Sequence, residues 1–308
     1  TRCSRDWSSD VCSSDLLGIL FVVFGHSWIV LHEKGELFRV IFSFHMPLFF
    51  FLSGVFFKEK ESLPSLMWSK ADSLLKPYFI VLGGVGIVQI IAGKTSLLLY
   101  VVGLLYSTGS TIAWVQLWFL PHLFAVFVFC WFIVKAFTST VVNPKILALV
   151  PGLFLLLGAA TIETFWLKPM SDFGGPSVLF GKRAVLPGFP FSVDIILVSS
   201  AYLLAGHLSL RSIQKFSFSA IPFYCACLIF FGFHYLFDET IDLNRRLYGN
   251  VFIASAQAFL GIYIVVSVSA FLSSSRRLGS MLAYVGSASI FILIFHWLFM
   301  DAGKWLFD

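Results

Sequence analysis

Charge is scarce in this sequence. Only 12% of its 308 residues are Asp, Glu, Lys or Arg, where a soluble domain carries about 25%. Cysteine is sparse as well, at five residues. Cys130, Cys225 and Cys227 lie inside apolar runs, and Cys225-Ala-Cys227 lacks the two-residue gap of a redox pair. No Cys/His cluster has zinc spacing, so no metal site is expected. There is no G-x-S-x-G elbow in a strand–turn–helix setting, no P-loop and no dinucleotide fingerprint. These absences exclude the common soluble hydrolases, nucleotide-driven enzymes and dehydrogenases. The formal net charge of +5 is not a nucleic-acid footprint. Its basic residues flank apolar runs, where membrane proteins keep topology signals, and no nucleic-acid partner is expected.

What fills the sequence is apolar. Hydrophobic residues make up 58%, Phe alone occurs 37 times, and mean hydropathy is +0.91. A soluble core cannot hide that much apolar side chain, so the lipid bilayer must cover it. A helix rises about 1.5 Å per residue, and about 20 residues cross a hydrocarbon core of about 30 Å. Nine candidate spans follow: Leu16–Leu31, Val40–Phe57, Leu74–Ile91, Leu117–Val134, Ile146–Ile162, Phe191–Leu208, Phe218–Phe237, Val251–Leu272 and Met281–Met300. Ser96–Tyr106 is apolar but too short to cross, and reads as interfacial or re-entrant. The expected fold class is all-α, a polytopic transmembrane helix bundle.

Residues 1–16, TRCSRDWSSDVCSSDL, are polar and run directly into LGILFVVFGHSW. They lack the basic start and small-residue cleavage site of a signal peptide. They read as a sequencing or assembly artefact, with residues 17–308 forming one membrane domain truncated at both ends. Placing the N-terminus inside puts ten Lys and Arg on the cytoplasmic connections 58–76, 135–145, 209–217 and 273–280, against nine on the longer opposite side. The segment 163–190, rich in Pro and Gly, is a candidate lid or acceptor-binding loop, or a plain connector.

Ionisable groups at membrane depth are costly and are functional hypotheses by default. His26 follows Gly25 in FVVFGHSWIV, and His45 sits in FSFHMPLFFFLSG. They lie nine residues before and ten residues after Gly35. In a straight hairpin the two imidazoles share one depth, about 14 Å from the turn at about 1.5 Å per residue. They could share a proton or frame one substrate; equally, each could pack helices and bond a backbone carbonyl. Pro47 frees a carbonyl near His45. Trp118, Pro121 and His122 fall together in LWFLPHLF near the outer face, where Trp118 also suits an interfacial anchor. Asp194, in FSVDIILVSS, either faces water or needs a partner such as a histidine or Arg183. His207, His234 and His296 complete the set.

GILFVVFGHSW followed by FSFHMPLFFFLSGVFF resembles the opening of the membrane acyltransferase-3 family, with the fucose 4-O-acetylase-like acetyltransferases as the nearest branch. LLKPYF at 74–79, LWFLP at 117–121, AYLLAGHL at 201–208 and YVGSASIFILIFHWLF at 284–299 follow in the family's order. The resemblance implies ten membrane helices and transfer of an acyl group onto glycan hydroxyls. It implies no bound cofactor, acetyl-CoA or another acyl-CoA as donor substrate, and a glycan or lipid-linked saccharide as acceptor. It also implies the bacterial cytoplasmic (inner) membrane. His26 matches the presumed catalytic histidine, His45 the FHMPLFF histidine, and His296 the histidine ending the last motif. The family often carries a basic residue eleven positions before the first histidine; here that position is Asp15.

Transfer from a thioester to an alcohol needs a base and donors for the oxyanion. His26 is the candidate base and His45 its orienting partner or a sugar contact; His26 could instead carry the acyl group itself. Trp118, His122, Asp194 and His296 are candidate acceptor-binding residues, by ring stacking and hydroxyl hydrogen bonds. Lys70 and Lys76 could meet the donor's phosphates or serve only as topology charges. The rival class is a transporter or flippase of a lipid-linked saccharide, which would have the same composition. Acceptor identity, acyl length and oligomeric state are left open.

Overall fold

The structure, a computed structural model, describes residues 35–139, 144–165, 188–237, 239–286, 288 and 290–296. The first expected span and His26 lie outside the described residues, as do residues 166–187 of the Pro/Gly-rich segment. The described chain is almost wholly helical, as the composition requires: in hydrocarbon a helix satisfies its backbone groups internally.

The helices in chain order are α1 (Glu36–Phe42), α2 (His45–Val55), α3 (Leu63–Lys70), α4 (Lys76–Ile91) and α5 (Leu97–Tyr106). They continue with α6 (Phe119–Ser139), α7 (Val150–Phe165), α8 (Ile196–Leu208), α9 (Leu210–Gln214) and α10 (Ala220–Leu236). Last come α11 (Val251–Ser273), α12 (Arg276–Gly286) and α13 (Ile290–His296). A π turn, Ala71–Leu75, joins α3 to α4, and 3-10 turns Val115–Trp118 and Pro190–Ile195 precede α6 and α8. Strands β1 (Ile241–Asp242) and β2 (Leu247–Tyr248) form a small hairpin.

Among the described residues, six helical stretches are long and apolar enough to cross a membrane: Glu36–Val55, Leu63–Ile91, Val115–Thr138, Ile146–Thr164, Pro190–Leu208 and Val251–Ser273. The expected ninth span is a pair, Arg277–Gly286 and Ile290–His296, bent by 61°. The expected seventh shortens to the 17 residues of α10. Ser96–Tyr106 forms a short helix, as its length demanded. Ser96 caps α5 by accepting a hydrogen bond from Leu99 N, and Tyr100 Oη donates to Leu82 O at 2.6 Å.

The chain divides into two compact units. The first holds Thr1–Phe56, Ala205–Asp242 and Tyr248–Asp308; the second holds Phe57–Leu204 and Leu243–Leu247. In the first, α2 packs on α11 because Gly261 leaves room for the Phe44 ring. The capping carboxamide of Asn250, which accepts from the backbone N–H groups of Phe252 and Ile253, starts α11. Gly206 lets α8 approach the backbone of Phe51. In the second, Tyr78 Oη donates to Leu104 O at 2.8 Å, tying α4 to α5. Trp131 Nε1 donates to Glu61 O at 2.8 Å, tying α6 to the start of the unit. Many large apolar side chains stay exposed, among them Ile80, Ile91, Leu98, Leu228 and Phe252, a surface that suits lipid contact.

A Cβ added at Gly206 would lie 1.9 Å from the Phe51 carbonyl oxygen. Backbone cannot rotate aside as a side chain can. Gly206→Ala is expected to lower stability by about 1–3 kcal/mol or more. Gly83→Ala, with nothing within 4 Å of its added Cβ, should be near neutral. Thermal unfolding in detergent checks both, and equal midpoints would refute the close approach.

Candidate functional site

In the first unit, a break at Ser43–Phe44 separates α1 from α2, four residues and three residues before Pro47. Pro47 has no N–H to give the carbonyl of Ser43, and the helix restarts there. The buried His45 imidazole uses the break: Nδ1 donates to Ile41 O at 2.9 Å. A carbonyl only accepts, so the proton is on Nδ1, and in the neutral ring Nε2 holds the lone pair. His296 is fixed in the same way, with Nδ1 donating to Leu293 O at 2.8 Å. Both histidines therefore have one nitrogen anchored to their own helix. His234 donates Nε2–H to Glu36 Oε2 at 2.6 Å.

The second unit brings Trp118, His122 and Asp194 into one cluster at the start of α6 and α8. Pro121 sits in the first turn of α6, where its missing N–H would have no helical partner. The next residue, His122, is fully buried, and its ring stacks at 5.4 Å on that of Trp118, one turn earlier. Its Nδ1 donates to Phe191 O at 2.9 Å, so neutral Nε2 accepts from the Ser199 hydroxyl at 2.8 Å. Phe191 and Ser192 hold left-handed backbone, with φ of 57° and 53°. That conformation costs about 1–3 kcal/mol at a non-glycine residue, and it aims the Phe191 carbonyl at His122.

Asp194 is buried and has the partner its position demanded, but that partner is Arg246 rather than a histidine or Arg183, which lies outside the described residues. Arg246 Nε donates to Oδ2 at 2.8 Å and Nη2 to Oδ1 at 3.0 Å. Oδ1 also accepts from Phe189 N at 2.9 Å, and Arg246 Nη1 donates to Asn244 O at 2.8 Å. Gly188 is required beside this fork, since its Cβ would lie 2.1 Å from Nη2. Its carbonyl accepts from Tyr106 Oη at 2.6 Å. Asp194 and His122 thus have their polar atoms engaged within the protein and act as a frame.

Lys70 and Lys76 flank the π turn, and neither approaches this cluster through a direct hydrogen bond. Lys70 Nζ sits 3.9 Å from the centre of the Phe127 ring, and Lys76 Nζ pairs with Asp72 Oδ1 at 2.8 Å, exposed.

Sequence reasoning passed over several residues. Arg246 was counted as a loop charge, although two adjacent arginines in a short polar connection were a signal. Ser192, Gln116 and Gln257 were hidden among apolar neighbours. Gln257 is fully buried on α11, and neither carboxamide atom has a hydrogen-bond partner. A lone carboxamide in an apolar span was the available sign.

One family model, described as an acyltransferase domain of the acyltransferase-3 type, matches residues 16–304. No curated protein and no solved structure matches the chain.

Removing one partner of a buried ion pair leaves the other charge uncompensated. Asp194→Leu or Arg246→Met alone is expected to destabilise by about 3–5 kcal/mol, and the double substitution by much less than the sum. Detergent unfolding midpoints of the three variants check this; additive losses would show that the pair is not coupled.

Proposed function

This chain belongs to the acyltransferase-3 family, and from that premise we propose that it transfers an acyl group, acetyl from acetyl-CoA, to a hydroxyl of a cell-surface or secreted glycan. The observation that carries the reading is the family match over residues 16–304, which includes both histidines of the opening motif. A fucose-like sugar, as in the branch the opening resembles, is one acceptor that fits.

In this reading His26 takes the acceptor's hydroxyl proton as the oxygen attacks the thioester carbonyl carbon. The C–O bond forms, the C–S bond breaks, and the proton passes to the departing thiolate. His45 assists: with Nδ1 tied to Ile41 O, its Nε2 is the nitrogen that can accept a hydrogen bond from His26 or from the sugar. His296, anchored through Leu293 O, is assigned to the acceptor. Lys70 and Lys76 meet the phosphates of the donor on the cytoplasmic side, exchanging their present contacts with Phe127 and Asp72. Trp118, His122 and Asp194 shape the acceptor side. The charge distribution of the connections supports placing that cluster away from the cytoplasm, and the family resemblance suggests a bacterial inner membrane. No step calls for a bound cofactor or metal.

The test is incorporation of label from radioactive acetyl-CoA into glycan, in membranes. The chain carries Asp15→Arg, restoring the family's basic residue, and is compared at matched expression with forms that also carry His26→Ala or His45→Ala. Removing a general base is expected to lower the rate about 10²-fold or more. Label incorporated equally with and without His26 would end its assignment as the base.

A further inference from the structure

Four lysines of the second unit, Lys58, Lys60, Lys70 and Lys135, stand around the last turns of α6. Lys135 Nζ lies 5.7 Å from the centre of the Trp131 ring, one turn earlier on the same helix. The indole N–H of Trp131 donates to Glu61 O at 2.8 Å. Glu61 N in turn donates to Lys58 O at 3.3 Å, so the turn carrying Lys58 and Lys60 is held beside Trp131. Lys70, on α3, sits 3.9 Å from the centre of the Phe127 ring, one turn before Trp131, and feels the charges of both Glu61 and Lys58.

The acidic residues of that turn, Glu59 and Glu61, are two against four lysines, and Glu61 Oε1 accepts from Ser65 Oγ at 2.7 Å. Among the described residues no carboxylate lies within ion-pair distance of the four ammonium groups. Phe132, edge-on to Trp131 at 5.3 Å, is 53% exposed and adds apolar surface beside them. Topology alone asks only that lysines be present on one side of the membrane. Here a hydrogen bond and two cation–π contacts also set where they stand. We infer that Lys58 and Lys135, brought together by Trp131, bind the phosphate of an anionic phospholipid whose acyl chains lie against Phe132. The inference is independent of acyl transfer.

The chemistry selects the ligand class. Ammonium groups that no carboxylate neutralises call for an anion, and a lysine has donors only. The exposed Phe132 calls for an apolar chain next to that anion, which inorganic phosphate lacks. A zwitterionic phospholipid brings its own cation toward the lysines and gains less from them. The charge reading puts the connections 58–76 and 135–145 on the cytoplasmic side, where a leaflet's anionic headgroups attract basic segments. Lys60 and Lys70 add to the local field.

The experiment titrates purified, delipidated protein in detergent with phosphatidylglycerol and, separately, with phosphatidylcholine, and reads bound lipid by native mass spectrometry. The double variant Lys58→Gln/Lys135→Gln is compared with Arg211→Gln/Lys215→Gln. The second pair removes the same charge from another connection assigned to the same side, in the first unit. A lysine near an anionic headgroup is worth about fivefold in affinity, so the first pair is expected to weaken phosphatidylglycerol binding about 25-fold. The second pair should change it little, and wild-type protein should favour phosphatidylglycerol over phosphatidylcholine. Equal affinity for the two lipids, an equal loss in both variants, or no loss in the first would overturn the inference. Displacement of phosphatidylglycerol by an equal concentration of coenzyme A would also overturn it, by giving the cluster to a soluble polyanion.

Discussion

Hydrocarbon offers neither a donor nor an acceptor, and the placement of polar groups in this chain answers that constraint. The helices close their own backbone bonds, and the buried imidazoles of His45 and His296 take carbonyls from their own helices. The buried carboxylate of Asp194 is met by a guanidinium at two points. Apolar side chains are left to face outward. Against that rule, the few atoms with unmet hydrogen bonds stand out, because nothing in a lipid surround can compensate them.

The architecture was legible because its cause is composition. Long apolar runs with charges at their ends have few solutions other than membrane helices, and the expected spans over α1–α2, α4, α6, α7, α8 and α11 are present. Boundaries were less legible. The bend between α12 and α13 and the shortness of α10 depend on packing, to which hydropathy is blind. The gathering of Trp118, His122 and Asp194 was readable as a shared depth near the ends of spans. The partner of Asp194 was not, since it lies 52 residues away in a hairpin connection. Pattern reasoning reaches helix periods and turns; it does not reach a contact made when a loop folds back.

The same geometry sorts the roles of two kinds of residue. His122 looked like a substrate contact because it is ionisable and near the outer end of a span. Its two nitrogens instead join α6 to the Pro190–Ile195 turn and to α8. A histidine held at both nitrogens sets the positions of its neighbours and is poorly placed to exchange a proton. Histidines tied at one nitrogen, as His45 is to Ile41, keep a defined tautomer and a second nitrogen whose basicity a neighbour can use. Catalytic promise in a membrane core thus depends on how many of a group's valences the fold has already used.

The Asp194–Arg246 fork also sets an order of events during biosynthesis. Asp194 leaves the ribosome 52 residues before its partner, an interval of about 3–10 s at about 5–20 residues per second. During that time α8 must enter the bilayer while the Asp194 carboxylate, in the turn just before it, is unmatched and held in water or against the insertion machinery. The arrival of the hairpin at Leu243–Leu247 supplies the guanidinium and completes the second unit, whose remaining chain ended at Leu204. Maturation of the older half of the molecule therefore waits on a segment made after α10, and a nascent chain released before it would carry an unpaired charge into lipid.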